Sequence, residues 1–146
     1  KGLKGPKEFP ANKRAGKRLS TRPLNLMDEP FSGQYDAVWY SNVLHIYSPE
    51  ENQALFRRIL PALTPGGRLI IQDAFLHVRE GLYPQEASLF AVSMLLFTER
   101  GNTYSLRETA RWLHIAGYVK IRPIKMKKGT EDWDGGILEA VRPAER

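Results

Sequence analysis

Tyr35 to Asp73 reads YDAVWYSNVLHIYSPEENQALFRRILPALTPGGRLIIQD, and this stretch decides the fold. Ala37, Val38, Trp39 and Tyr40 form an apolar run too short for a helix and suited to a strand buried on both faces. After Ser41-Asn42 and Val43-Leu44-His45 comes Ser48-Pro49-Glu50-Glu51, a helix start: serine as cap, proline at the first position, Glu51 closing a capping box. Leu55, Ile59 and Leu63 then recur at helical spacing with Phe56 and Leu60 beside them, while Glu51, Asn52, Arg57 and Arg58 are read as the wet face. Thr64-Pro65-Gly66-Gly67 is expected to stop the helix, and Arg68 to Asp73 is expected to be a second strand. After a helical crossover it lies parallel to the first, in a right-handed βαβ unit.

Open α/β sheets bind ligands outside the carboxyl ends of their strands, so the residues just past each strand are the first functional candidates. Here those are Ser41, Asn42, His45 and Asp73. A histidine behind a strand more often serves structure than chemistry, and an aspartate there commonly caps a loop.

The remainder of the chain bounds these readings. With 146 residues, 42% hydrophobic and 26% charged, the composition fits one soluble domain of modest core. No cysteine is present and three histidines stand apart (His45, His77, His114), so neither a disulfide framework nor a metal site is expected. The longest apolar run, Leu89 to Phe97, is far short of the roughly 20 residues that span a bilayer, so no membrane association and a cytoplasmic location are expected. Charge is uneven: residues 1 to 22 hold eight Lys/Arg against Glu8, leaving the rest of a +6 chain close to neutral. Residues 1–17 are therefore read as a solvated basic arm; with Phe9 as its one aromatic it offers no stacking platform, and nucleic acid is not the expected partner.

Flanking elements follow from local signals. Arg18 to Leu26 alternates weakly and is read as a strand, and Met27 to Gln34 as a loop. Ala74 to Tyr83 is a polar connection, followed by a helix from Pro84 through Phe97 whose sequence is apolar almost all round and so must bury both sides. Ser105-Leu106-Arg107-Glu108 is a second capping box opening a helix to Ala116, with Trp112, Leu113, Ile115 and Ala116 inward. Tyr118 to Ile124 and Gly136 to Val141 are strands joined by a charged turn, 125–134, and close enough to pair antiparallel.

The words DAVWYSNVLHIYSPEE, LTPGGRLIIQD, SMLLFTERG, TYSLRETARWLHIAGY and GGILEAVRP, taken together, resemble the carboxyl half of a class I S-adenosylmethionine-dependent O-methyltransferase. The likeness is to small-molecule enzymes of the caffeate and hydroxyindole type and their bacterial relatives, and runs from about Leu24 to Pro143. The resemblance implies an α/β, Rossmann-like methyltransferase fold with a mostly parallel sheet and a terminal antiparallel strand. In that family's sheet order, 3-2-1-4-5-7-6, the strand beginning near Asp36 becomes an edge, because the place of the amino-terminal half with its glycine-rich cofactor loop lies before Lys1. Residues 18–146 are then a partial catalytic domain, which is not expected to bind cofactor unaided.

Roles carried over by the resemblance are as follows. Asn25 stands where the family has an acid for the adenine amino group, Leu26 packs on the ring, and Ser41 lies near the methionine portion of the cofactor. His45 corresponds to the general base and Asp73 to an acid that orients it, while Thr103 stands where plant members place a second acid. Phe90, Met94 and Phe97 would roof a flat acceptor. The expected reaction is methyl transfer from S-adenosylmethionine to a small aromatic hydroxyl, the expected partner a small-molecule acceptor, with homo-oligomerisation left open. Two other readings are a truncated, non-catalytic relative acting in association and, through the basic arm alone, a nucleic-acid methyltransferase.

Overall fold

Strands, helices and their caps form where the chain carries the local signal for them, and the computed structural model describes residue 20 and residues 22–76, 85–124 and 135–144. The basic arm at 1–17 and the charged turn at 125–134 lie outside the described residues. The chain divides into two units at Pro30 and Phe31.

In the first unit the strand expected over 18–26 does not form across its described part; residues 25–29 make a turn instead. The backbone carbonyl of Asn25 accepts from the N–H groups of Asp28 and Glu29, and its side-chain oxygen accepts from Met27 N–H at 3.0 Å. An asparagine that bonds the backbone two residues on offers the chain an alternative to a strand ladder, and here the alternative wins.

The second unit holds the central βαβ unit. Strand β1 (Tyr35–Ser41) is followed by a single 3₁₀ turn at Leu44–Ile46, helix α1 (Pro49–Ile59), another 3₁₀ turn at Leu60–Ala62 and strand β2 (Leu63–Leu76). Ser48 accepts from Glu51 N–H while the Glu51 carboxylate accepts from Ser48 N–H, so the capping box is complete. That backbone N–H, helped by the Arg100 guanidinium, holds the Glu51 carboxyl below its ordinary value. Leu55, Phe56 and Ile59 are buried, each such side chain contributing about 1.5–3 kcal/mol. Asn52, read as part of the wet face, is instead fully buried.

The segment Thr64-Pro65-Gly66-Gly67, expected as a helix stop, already belongs to β2. Gly66 has φ +79, and at Gly67 an added Cβ would meet the Thr64 backbone oxygen at 2.8 Å, so both glycines serve an irregular start of the strand. The pairing with β1 slips at the same place, between Tyr35 and Ala37, and then runs parallel from Ala37↔Arg68 to Ser41↔Gln72.

Helix α2 (Gln85–Phe97), the short strand β3 (Tyr104–Ser105), helix α3 (Leu106–Ile115) and strands β4 (Val119–Ile124) and β5 (Gly135–Val141) complete the unit. The second capping box, Ser105 with Glu108, is also formed. Trp112 and Leu113 are buried as expected, whereas Ile115 on the last turn is exposed.

The sheet order is β1-β2-β5-β4, with β3 paired to β2 off this path. Strand β5 runs antiparallel to both its neighbours, so β1, β2 and β4 share a direction and β5 opposes them. This is the sheet expected from the resemblance, with β1 at an edge. Burial alternates along β2: Leu69, Ile71, Asp73 and Phe75 are covered, Ile70, Gln72 and Ala74 only half so. The expectation that β1 is buried on both faces fails accordingly. Only Tyr40 is buried, and Trp39, paired with Ile70, is 56% exposed. Across the sheet Arg68 and Arg122 both bind the buried Glu139 carboxylate, at 3.1 and 2.7 Å. No helix among the described residues is long and apolar enough to cross a membrane.

Candidate active site

β2 runs on to Leu76, beyond the end expected at Asp73, but β1 ends at Ser41, opposite Gln72 of β2, and there the chain must leave the sheet. It does so through Asn42, whose φ of 54 lies in the left-handed region that asparagine tolerates, and whose N–H still reaches Gln72 C=O at 3.0 Å. Two residues on, the 3₁₀ turn drops Leu44 into the core, 1% exposed, and turns His45 toward Asp73 of β2. Asp73 comes to the same place because strand alternation sends it to the covered side with Leu69 and Ile71.

His45 Nδ1 and Asp73 Oδ1 are 2.8 Å apart, with the Asp73 side chain 1% exposed and that of His45 13%. The same Asp73 oxygen accepts from Ala74 N–H, at 2.8 Å. Its other oxygen, Oδ2, is buried with no hydrogen-bond partner among the described residues. A carboxylate so placed makes Nδ1 the donor and leaves the Nε2 lone pair of a neutral imidazole open. The imidazole meets Phe90 of α2 edge-on, ring centroids 4.8 Å apart and planes at 82°.

Behind the ring, His45 C=O accepts from Asn102 N–H at 3.0 Å. Gly101 permits this approach, because a Cβ there would lie 2.4 Å from the His45 oxygen and 2.5 Å from Thr98 Oγ1. Thr103 is buried and its hydroxyl donates to Ala87 C=O at 3.2 Å, tying the segment to α2. The carboxylate support of His45 is thus Asp73. Tyr40, buried beneath the site, has its hydroxyl pushed well above the ordinary tyrosine range by burial first, then by Tyr47 and Asp73. It remains a donor. Tyr104, which donates to Tyr47 C=O at 2.7 Å, is pushed up to about 12, again by burial first and then by Glu50, Glu108 and Glu51.

The structure therefore brings together His45, Asp73 and Phe90. Ser41 lies beside them in the sheet, paired with Gln72, its hydroxyl 3.4 Å from Gln72 Oε1. Met94, one turn beyond Phe90 on α2, is half-buried, while Phe97 is 82% exposed and forms no wall with them. Within the first unit, Asn25 Nδ2 donates to Asp28 Oδ2 at 2.5 Å and Leu26 is half-buried. The Asn25 amide oxygen has two lone pairs and Met27 N–H uses one, so an acceptor for an amino group remains. Among the described residues no cluster of His, Asp and Glu could hold a metal ion, and no glycine-rich turn leads from a strand into a helix. Pattern reading alone missed Asn52; the signal was an amide at the fourth position of a helix whose stripe neighbours Leu55 and Phe56 are core.

Residues 13–119 match the model of a family described as an O-methyltransferase domain. The chain is 28% identical over 108 residues to 3-hydroxy-5-methyl-1-naphthoate 3-O-methyltransferase of Streptomyces sahachiroi, covering 74% of this chain and 31% of that one. It is 35% identical over 102 residues to L-tyrosine C(3)-methyltransferase of Streptomyces lavendulae, covering 69% and 28%. Among solved structures it resembles human N-acetylserotonin methyltransferase in complex with SAM, with a TM-score of 0.73 and 19% identity over 84% of this chain and 33% of that one. That likeness bears on the fold alone. The chain spans about a third of the length of these relatives, or less.

Proposed function

Starting from a chain that belongs to the O-methyltransferase domain family, we propose that His45 and Asp73 form the acceptor side of a methyl-transfer site acting on a small aromatic hydroxyl. One observation carries this reading: just past the carboxyl end of β1, beside the parallel strand β2, an imidazole is held at 2.8 Å by a carboxylate that is 1% exposed. When bound, S-adenosylmethionine supplies an electrophilic methyl group on a sulfonium. In the second unit Ser41, by its hydroxyl, is the residue assigned to hold it; in the first unit, taken by itself, the resemblance assigns Asn25 and Leu26 to the adenine. A glycine-rich loop has to complete that site.

His45 Nε2 would take the proton of the acceptor hydroxyl, and the cofactor, when bound, would supply the methyl group that the oxygen receives in its place. Asp73 stabilises the imidazolium so formed without itself taking the proton. Phe90 and Met94 present an apolar wall suited to a flat ring. The likeness to a tyrosine C-methyltransferase favours one second reading, in which the same deprotonation directs methylation to the ring carbon beside a phenol. Product analysis separates the two, since only O-methylation removes the hydroxyl.

In a domain that joins these residues to a glycine-rich loop, His45→Ala should lower turnover by about 10² to 10⁴, with cofactor affinity unchanged, in transfer of labelled methyl to hydroxylated aromatics. A loss of roughly tenfold or less would mean that proximity alone drives transfer and would remove His45 as the base.

A further inference from the structure

We infer that Asn52 is the positioning residue of His45. The inference rests on the reading of His45 as a base and deepens it. Asn52 stands at the fourth position of α1 and is 0% exposed. Burying a carboxamide is unfavourable unless its polar atoms are bonded, and every one of these is. Nδ2 lies 2.9 Å from Leu44 C=O, 3.0 Å from Tyr47 C=O and 3.0 Å from Ser48 C=O. Three carbonyls can only accept, so chemistry fixes which end of the amide faces them. Oδ1 is left to accept from the Tyr40 hydroxyl, at 3.1 Å.

These partners frame His45. Leu44 precedes it, Tyr47 lies two residues after it, and Tyr40 ends the buried part of β1. The turn that carries His45 has three residues and its own backbone bond is Ile46 N–H to Val43 C=O, at 3.1 Å. So short a 3₁₀ turn has little stability of its own. Without the Asn52 amide, the Leu44 and Tyr47 carbonyls lose the donor that ties them to α1, and His45 is left to Asp73, Phe90 and the backbone bond from Asn102, with Tyr47 kept by the Tyr104 hydroxyl. A base misplaced by about 1 Å loses on the order of 10²-fold in rate, so this clamp acts on the chemistry through geometry.

The test is made on the full chain, with the imidazole nitrogens of histidine labelled and the His45 signal assigned by a His45→Gln variant. Wild type should show a proton on Nδ1 protected from solvent exchange. Asn52→Ala should speed its exchange tenfold or more, whereas Thr109→Ala should leave it unmoved. Thr109 is an equally buried polar residue of α3, bonded to Ser105 C=O, and controls for a general loss of stability. If Asn52→Ala does not fold, Tyr40→Phe removes the hydroxyl that orients the amide and should raise the exchange rate about two- to tenfold, the range for one lost hydrogen bond. An Nδ1 proton present in wild type and unchanged in the informative variant overturns the role of Asn52 and leaves the base reading standing. Absence of that proton in wild type overturns both.

Discussion

Helices α1 and α2 have similar lengths and opposite relations to the rest of the unit. In α1, Leu55, Phe56 and Ile59 are all within 3% of complete burial, and charged residues take the outside. In α2, Ala87 is buried and Phe90 and Met94 half-buried, but Leu89, Val92, Leu95, Leu96 and Phe97 are between 56% and 82% exposed. A helix with a polar face carries its own instruction about which side to bury. A helix apolar all round carries none, and its position is set by the contacts it happens to make: Ala87 with the Thr103 hydroxyl, and Phe90 with the His45 ring. The expectation that α2 buries both sides is therefore corrected: among the described residues, Leu89, Val92, Leu95, Leu96 and Phe97 are exposed.

The comparison can be broken by unfolding measurements. Phe56→Ala empties a site in the core of α1 and should destabilise the protein by about 3–5 kcal/mol, seen as a fall in the denaturant midpoint at unchanged slope. A loss under about 1 kcal/mol would show that α1 is no better packed than α2. Leu96→Lys, on a side chain 73% exposed, should change stability by no more than about 0.5 kcal/mol either way. A loss of several kcal/mol would mean that the outer side of α2 is buried in solution.

The same contrast shows what could be read in advance. The βαβ unit, both capping boxes and the β4–β5 pair rest on short-range patterns, and the structure has each of them. Asn25 defeated the strand expected around it because a side chain that bonds its own backbone overrides weak alternation, and the NLMDE spacing that makes such a turn was present in the residues. His45 was reachable from the rule about strand ends; Asp73 was reached by expecting β2 to stop there, whereas the strand runs on to Leu76, and their 2.8 Å contact depends on how far the 3₁₀ turn swings His45 back over β2. That swing is set by long-range groups, Asn102 and Gly101 among them, which no local pattern reveals. Asn52 was missed for a related reason: despite its place next to the apolar stripe, a polar residue beside Glu51 reads as solvent-facing until the carbonyls it serves are seen to converge on it.

The central claim is that Asp73 holds His45 with its proton on Nδ1 and its Nε2 lone pair free for an acceptor hydroxyl. Nitrogen NMR of the labelled imidazole under mildly alkaline conditions tests it directly, in wild type and in Asp73→Ala. The account predicts the Nδ1–H form in wild type and its loss when Asp73 is removed; an Nε2–H ring in wild type, or a ring indifferent to Asp73, would contradict it.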